Sequence, residues 1–437
     1  MNIHALFLRV WNISEKILET KQNKLLILFF ILYAIYFRAP NLFSDPRFWA
    51  EEGTTFFTYS RSHGWIESLF HTQELEGYIE FFPNLATKLA TLVPLKRAPL
   101  VTTSISFLLQ IIPFVIILWS KSIFWSSSLK KIIGIIIILT TQLNQEVWLN
   151  SLNSTNHFLV INFLILLENH NEQNRTKIWA YRILLALGSV SRIQTCLLSP
   201  LYLLKAYQKR ERNILILAGI VVSLTLVQFS LIVHHAFING LPSGRAHSMD
   251  IIMYSCILWV RGIIVPFFGL NHGIFFNNLI LKDINFWGIS FIFTELVLFF
   301  YIWKDFSVEK KVIYGYCYFF ISIILLSGSL GEKYHLIYPL NGPRYFYFNN
   351  ILFMLIILDN ITSTYNTLEK SLLIKKILSI FLFFGLWNSL LNFNVMIPVY
   401  STGNSWKEEV IEWSKDSNYI IKIWPSGWTM ALPKDSN

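Results

Sequence analysis

The sequence has little charge and little cysteine, and both shortages restrict the class of protein. Only 14% of its 437 residues are charged, 54% are hydrophobic, and the mean hydropathy is +0.48. The three cysteines, Cys196, Cys256 and Cys317, all fall in apolar segments, so neither a disulfide framework nor a thiolate metal site is indicated. The sequence also shows no glycine-rich phosphate loop, no internal repeat and no soluble domain of ordinary size. A soluble nucleotide-binding domain is therefore not expected.

Apolar runs long enough to cross a bilayer recur from end to end, which predicts an all-α polytopic membrane protein. Outer-membrane barrels alternate polar and apolar residues, and these runs do not. Cytoplasmic loops rich in Lys and Arg explain the formal charge of +10 better than nucleic-acid binding does. We expect no cleavable signal peptide, because the first apolar run starts only near Leu25 and would remain as an anchor.

Basic residues before the first run place the N-terminus in the cytoplasm under the positive-inside rule. Residues 38–98 are then a long external loop, whose second half is helical in period and lies along the membrane interface. Residues 1–393 make up the transmembrane domain, with a late external loop at 331–345, and residues 394–437 are a short external tail. The topology has roughly eleven spans, in the order Leu25–Phe37, Pro99–Trp119, Ile132–Thr141, His157–Leu167, Ile178–Val190, Thr195–Tyr207, Asn213–Val233, Asn285–Trp303, Val312–Leu330, Tyr345–Leu358 and Ile377–Phe393.

Two parts of this topology are irregular. Ile178–Val190 and Thr195–Tyr207 are each too short for a comfortable span of ~20 residues. They are predicted to form a hairpin of short or tilted helices that reaches the external face at Arg192. Ile251–Leu270 is apolar enough to cross, but Arg261 and a following proline interrupt it, so a re-entrant or interfacial segment is favoured there.

The first external loop opens with three carboxylates among aromatic residues, in FSDPRFWAEEGTTFFTY. Asp45 followed by Pro46 is typical of a helix start. If that helix continues, Asp45 and Glu52 share one face about 10 Å apart, and Glu51 points about 100° away. The acids are then candidates for proton transfer or for metal or hydroxyl binding. The alternative is an N-cap followed by a solvated helix face.

The late loop, GEKYHLIYPLNGPRYFY, places cationic and titratable groups between two spans. Lys333, His335 and Arg344 are candidates to bind a phosphate, with Gly342 shaping the turn that presents the arginine. Tyr345 is a candidate contact for a sugar or acceptor. Alternatively, the arginine snorkels at a helix end and the tyrosines form an interface belt.

Two further sets of polar residues lie in predicted external turns. The side chains of the first set can hydrogen-bond sugar hydroxyls, although capping of helix ends explains most of these polar residues. In the second set, an arginine lies between two apolar segments, which is costly unless it is paired or solvated. That arginine is either a phosphate ligand or the structural partner of an acid. The first set is Asn150, Asn153, Asn156 and His157, and the second is Arg192 with Gln194.

A first span, an acidic motif close behind it, interfacial helices and many later spans resemble the glycosyltransferase-C (GT-C) superfamily. The segments FWAEEGTTFF, GYIEFFPNLA, GPRYFY and IWPSGWTM are similar to bacterial members of surface-polysaccharide type. The resemblance implies a GT-C-like bundle whose active site faces the exterior of a bacterial inner membrane. This chain has Glu-Glu where many members have an Asp-containing pair. The identity of the base and the need for a divalent metal, Mg or Mn, therefore stay open.

The resemblance also implies an inverting transfer of sugar from a polyprenyl-phosphate donor to a glycan or lipid acceptor. A carboxylate takes the acceptor proton, and Arg344, Lys333 or Arg192 stabilises the departing phosphate. Asp45 ranks first as the base because it is nearest the first span, Glu52 second and Glu51 third. Membrane lipids are the other expected partners, nucleic acid is not one, and no cofactor is certain.

Two other functions remain open at this stage. A lipid-linked sugar flippase or other transporter predicts ionisable residues deep within spans and related halves of the chain. The sequence has few of the former and no evident repeat. A polysaccharide polymerase or ligase predicts a large late external loop with paired arginines, and the late loop here is short.

Overall fold

A computed structural model describes residues 18–72, 77–142, 145–239, 251–304, 306–327, 333–362, 369–393, 404–416 and 418–433. The helices in its first half are α1 (Lys21–Arg38), α2 (Asn41–Ser44), α3 (Thr58–Ser62), α4 (Trp65–Leu69), α5 (Phe81–Ala90), α6 (Ala98–Leu118), α7 (Ser128–Thr140), α8 (Asn156–Leu167), α9 (Arg175–Ser191), α10 (Ile193–Cys196), α11 (Ser199–Lys209) and α12 (Arg212–Asn239). The later elements are α13 (Ile251–Leu258), α14 (Val265–Phe268), α15 (Leu270–Ile280), α16 (Ile284–Trp303), α17 (Val308–Gly315), α18 (Ser322–Ser327), α19 (Tyr347–Thr362), α20 (Glu369–Leu391), α21 (Trp406–Lys415), β1 (Ile421–Lys422) and β2 (Thr429–Met430).

Short turns of other helix types join or extend these elements. Wide π-helical turns occupy Glu52–Phe57, Trp259–Ile264 and Tyr316–Ile321. Turns of 3-10 helix occupy Leu95–Arg97, Ile123–Trp125, Gln145–Val147, Asn153–Thr155, His170–Glu172, Lys333–Leu336 and Pro343–Phe346.

Seven of the described helices are long and apolar enough to cross a membrane, so the protein is an all-α, multi-pass membrane protein. They are Leu95–Leu118, Arg212–Ile238, Ile251–Phe268, Ile284–Trp303, Val308–Ser327, Pro343–Thr362 and Leu373–Leu391. Large apolar side chains on them are exposed, Phe229 and Phe293 among them, as lipid contact requires.

The remaining predicted spans lie in helices that are short for a crossing, so roughly eleven spans are not supported by helix length. Ile132–Thr141 falls in α7, of 13 residues, and His157–Leu167 falls in α8, of 12 residues. Helix α1 has 18 residues but includes Lys21, Lys24 and Arg38. The predicted hairpin does consist of two helices, α9 and α11, of 17 and 11 residues.

The predicted interruption of Ile251–Leu270 is wrong. The chain is helical from Ile251 to Phe268, with one π turn at its centre. Arg261 does not break this helix, because its side chain finds backbone partners elsewhere in the protein. The length and hydropathy of this helix permit a full membrane crossing.

The chain folds as two compact units. The first-loop unit comprises Leu28–Ile116, Gln145–Leu241 and Asn394–Asn437, and the late-loop unit comprises Met1–Ile27, Ile117–Asn144 and Pro242–Phe393. The sequence predicts residues 394–437 to be a separate, short external tail. In the structure the described part of that tail packs within the first-loop unit.

The tail packs on the first loop through an apolar core and a backbone pairing. Trp406 of α21 is fully buried, and its ring meets the ring of Phe48 edge-on at 5.6 Å between centroids. Trp424 forms a parallel bridge with Trp49, and its N–H donates to the Phe48 carbonyl at 3.0 Å. The shared core contains Phe48, Phe57, Ala90, Ala98, Trp406, Ile421, Ile423, Met430 and Leu432.

Because the tail packs on the first loop, both must lie on the same side of the membrane. We expect single cysteines at exposed Ser62 and exposed Lys407 to react alike with a membrane-impermeant maleimide in sealed vesicles. The background is a variant with Cys196, Cys256 and Cys317 replaced, and permeabilised vesicles give the full-reaction reference. Labelling of only one of the two positions would contradict the packing.

Candidate active site in the first-loop unit

The predicted helix starting at Asp45 does not form. Helix α2 ends just before Asp45, residues 46–48 are non-helical, and helix resumes only at Glu51. The physical reason is the pairing of Phe48 and Trp49 with Trp424, because a strand-like bridge and a helix cannot occupy the same backbone. Asp45 and Glu52 therefore do not share a helix face, and the geometric basis for ranking Asp45 first is absent.

Asp45 binds the start of the tail helix. Its Oδ1 accepts a hydrogen bond from the backbone N–H of Trp406 at 2.8 Å. Its Oδ2 lies 3.8 Å from Nε of the buried Arg47, whose Nη1 donates to the Lys422 carbonyl at 3.5 Å. Ser405 is the N-cap residue of that helix, so Asp45 binds the first N–H of the distant helix 406–415 and does not cap a helix of its own.

Glu52 is buried, and backbone and hydroxyl donors surround its carboxylate. The N–H of Trp49 donates to Oε2 at 2.9 Å, and the N–H and hydroxyl of Ser151 donate to Oε1 at 2.7 and 2.5 Å. Burial raises the pKa of the Glu52 carboxyl above its ordinary value, and hydrogen bonds from Ser151, Trp49 and Thr102 oppose that shift. Glu52 thus connects the first loop to the segment before α8.

Glu51 differs from its neighbour in both exposure and contacts. It is half-buried, and within the described residues its carboxylate makes no hydrogen bond or ion pair. A carboxylate without protein donors keeps its lone pairs available for an incoming hydroxyl group. Of the three first-loop acids, Glu51 is therefore the one whose oxygens are not occupied.

The segment from Ser151 to Asn156 leads from Glu52 to a buried arginine. Asn156 Nδ2 donates to the Asn153 carbonyl at 2.8 Å, and Asn156 Oδ1 accepts from Arg192 Nη2 at 3.4 Å. We call Glu52, Ser151, Asn153, Asn156 and Arg192 the polar seam. The N–H of Asn153 also donates to Asn150 Oδ1 at 2.8 Å. Leu152 and Thr155, the N-cap residues of the two helix starts here, make no side-chain cap, so the capping alternative weighed for the asparagines is not found at these starts.

Arg192 lies in the turn between α9 and α10 and is buried, at 7% exposed. Its Nη1 lies 4.0 Å from an oxygen of the buried Glu80. Among the described residues, Arg192 Nε and Asn153 Nδ2 are buried donors without a hydrogen-bond partner. Unsatisfied buried donors are costly, so these two are suited to an oxygen-rich ligand such as a phosphate or a sugar.

His157 follows the seam at the start of α8 and is buried, at 1% exposed. Sequence reasoning missed Ser151, Thr102 and Glu80. Glu80 could have been found from an existing signal, because it is an acid inside the otherwise apolar GYIEFFPNLA. Ser151 and Thr102 carry no such signal, since serine and threonine are unremarkable near helix ends.

The late-loop residues belong to the other unit. Arg344 lies in the turn Pro343–Phe346, where its Nη2 donates to the Tyr345 hydroxyl at 3.3 Å and its guanidinium carbon lies 5.1 Å from the ring centroid. Tyr345 is buried and His335 is exposed. The structure describes the backbone of Lys333 at the start of a 3-10 turn, and its side chain lies outside the described part. Gly342 has φ +53, and a Cβ there would lie 2.7 Å from the Tyr345 ring, so its predicted turn role is confirmed.

Arg261, which the sequence suggested as a helix interruption, instead fixes the late loop. Its Nη1 donates to the carbonyls of Leu336, Tyr338 and Asn341 at 3.2, 2.8 and 2.6 Å. Its guanidinium also stacks on Phe346, with 4.2 Å from the guanidinium carbon to the ring centroid. The three hydrogen bonds hold residues 336–341. The stacking on Phe346 holds the following turn, Pro343–Phe346.

The first-loop acids do not fit a divalent cation as they stand. Donor groups already point at the oxygens of Glu52 and Asp45, where a cation would need free lone pairs. Among the described residues, no group of three His, Cys, Asp or Glu side chains has metal-binding proximity.

Removal of the contact between Asp45 and Trp406 should lower the unfolding free energy measurably. Asp45→Ala deletes the acceptor for the Trp406 N–H and leaves buried Arg47 without its acid. We expect a loss of about 1–2 kcal/mol in unfolding free energy and faster proteolysis of the tail. The matched control is Glu412→Ala, which removes a half-exposed acid from the same helix, paired only with exposed Lys415, and should change little. Equal melting temperatures for both variants would contradict the assignment.

No protein-family model, curated protein or solved structure matches this chain. The polar seam and the unoccupied Glu51 carboxylate are its two chemical features, and both lie in the first-loop unit.

Proposed function

We propose that the protein is an integral-membrane glycosyltransferase of GT-C type that transfers a sugar from a polyprenyl-phosphate donor. The acceptor is a glycan or lipid in the biosynthesis of cell-envelope polysaccharide. The observation that supports this most directly is the pair of buried, unsatisfied donors, Arg192 Nε and Asn153 Nδ2. They lie in the same unit as a carboxylate with unoccupied oxygens, Glu51.

The donors suit a ligand with many oxygens and negative charge. Arginine offers a planar set of N–H groups that matches phosphate, and amide N–H groups bind sugar hydroxyls. Asn156 connects the two donors, since it bonds the Asn153 carbonyl and the Arg192 guanidinium. In this proposal Arg192 contacts the donor phosphate, and Asn153 and His157 contact the sugar or acceptor.

The proposed reaction is a single displacement. Glu51 takes the proton of the acceptor hydroxyl as that oxygen bonds to the anomeric carbon. The bond between the anomeric carbon and the phosphate oxygen breaks, and its electron pair stays on the lipid phosphate. Arg192 stabilises the extra negative charge that develops there. Attack from the face opposite the leaving group inverts the anomeric centre.

Each first-loop acid then has a different part. Glu51 is the base, because its oxygens are not taken by protein donors. Glu52 fixes the start of the π turn that directly follows Glu51, through its bonds to Trp49 and Ser151. Asp45 holds the tail helix. Arg344, with His335 and Lys333 nearby in sequence and Tyr345 bonded to it, is a second candidate for the phosphate.

The base assignment is tested by three near-isosteric variants in a sugar-transfer assay with a polyprenyl-phosphate donor. Loss of a general base lowers the rate by about 10²–10⁴-fold, so Glu51→Gln should lose that much kcat with an unchanged melting temperature. Asp45→Asn should keep most activity. Glu52→Gln should lower the melting temperature, because an amide N–H₂ would face the Trp49 or Ser151 donors.

Collapse of turnover in Glu52→Gln at an unchanged melting temperature would move the base to Glu52. Full turnover in all three variants would remove the first-loop acids from the chemistry.

The phosphate assignment is tested by Arg192→Lys and Arg344→Lys. Lysine keeps the charge but loses the planar fork, so the variant at the true phosphate contact should bind the lipid donor about tenfold more weakly. We expect this for Arg192→Lys and little change for Arg344→Lys, measured as donor Kd on purified, folded protein. The reverse result would assign the phosphate to the late loop.

A flippase or transporter remains the second candidate because of one observation. Glu295 is a buried acid inside the membrane-length helix α16, as transport of a coupled ion or substrate would require. Sugar transfer by purified protein in detergent, where no membrane sides exist, distinguishes the enzyme from a transporter.

A further inference from the structure

The late-loop unit contains a cavity of about 550 Å³. It lies among helix α13, helix α16 and the segment Tyr316–Ser327, all within that unit. A cavity of this size suits a small organic ligand, since such sites span about 300–1,000 Å³. Its lining residues are Ile251, Tyr254, Ser255, Ile292, Glu295, Leu296, Phe299, Phe300, Trp303, Phe319, Ile323 and Ser327.

The cavity wall is rich in aromatic rings that contact one another. The ring centroids of Phe299 and Trp303 are 4.9 Å apart, and those of Phe299 and Phe319 are 4.7 Å apart. Leu296 and Phe300 also line the cavity and are exposed. On a helix of membrane length, exposed apolar residues face lipid, so the cavity is open to ligands dissolved in the hydrocarbon phase.

One acid lies in this aromatic wall. Glu295 is the twelfth of the twenty residues of α16, far from either helix end, and it is 7% exposed. Ser255 lines the cavity beside it, and Oε1 has no hydrogen-bond partner among the described residues. No described basic side chain forms an ion pair with it. A buried acid without an ion-pair partner inside a membrane-length helix costs free energy, so we expect a ligand to interact with it.

We propose that this cavity binds a lipophilic organic cation, such as a long-chain amine or an onium ion. The carboxylate of Glu295 supplies the counter-charge. The faces of Phe299, Trp303 and Phe319 supply cation–π attraction, and the apolar lining takes the hydrophobic groups of the ligand. A phosphate-bearing lipid would be repelled by the same carboxylate. This site is therefore separate in chemistry from the proposed sugar-donor site, and it does not depend on sugar transfer.

The probe is tritiated tetraphenylphosphonium, measured by equilibrium binding to the full-length protein in detergent. Glu295→Gln should weaken binding about tenfold, since one close charge pair is lost, while Glu295→Asp should restore part of it. The matched control is Glu309→Gln, which removes an exposed acid outside the cavity and should leave the affinity unchanged. All variants are compared at equal melting temperature and elution volume.

A second measurement on the wild-type protein decides the chemistry without any variant. Dodecylamine, dodecanol and dodecanoate share one chain and differ only in the head group. Displacement of tetraphenylphosphonium by dodecylamine alone supports a cation site. Equal displacement by dodecanol would overturn it in favour of a neutral-lipid site. Unchanged binding in a folded Glu295→Gln variant, or no saturable binding to the wild type, would also overturn the proposal.

Discussion

Three buried charged side chains in this protein hydrogen-bond to backbone groups. Glu52 accepts from two backbone N–H groups, and Arg261 donates to three carbonyls. Lys88, which is 8% exposed, donates to the carbonyls of Ser60 and His63 at 2.7 and 2.5 Å. Backbone partners satisfy a charge without introducing a second ion that must itself be desolvated. Each charged side chain thereby also fixes a stretch of irregular backbone that no regular element would hold.

This constraint explains why the irregular segments keep defined shapes. The turns of residues 336–341 have few hydrogen bonds of their own, and Arg261 satisfies three of their carbonyls. Ser151 lies between two 3-10 turns, and Glu52 satisfies both its N–H and its hydroxyl. Removal of either charge would leave polar backbone groups buried and unpaired, which costs more than the loss of the bonds themselves.

Sequence reasoning recovered the features that depend on local composition. The apolar runs predicted the helical membrane class, Gly342 predicted a turn, and Arg192 predicted the break between short helices. It failed where contacts join distant parts of the chain. The pairing of Trp49 with Trp424 removed the predicted helix at Asp45, and the carbonyls that satisfy Arg261 lie 75 to 80 residues away. The sequence around these contacts does not reveal them, because any backbone carbonyl or N–H group can be the hydrogen-bond partner.

The packing of the tail on the first loop has a consequence for the order of assembly. Asp45 and Trp406 are 361 residues apart, and Arg47 and Lys422 are 375 apart. At synthesis rates of about 5–20 residues per second, the loop waits roughly 20–75 s for its partner. During that time Phe48 and Phe57 lack the tail that completes their core. The first loop is thus completed only after the segment from Trp406 to Leu432 has been synthesised.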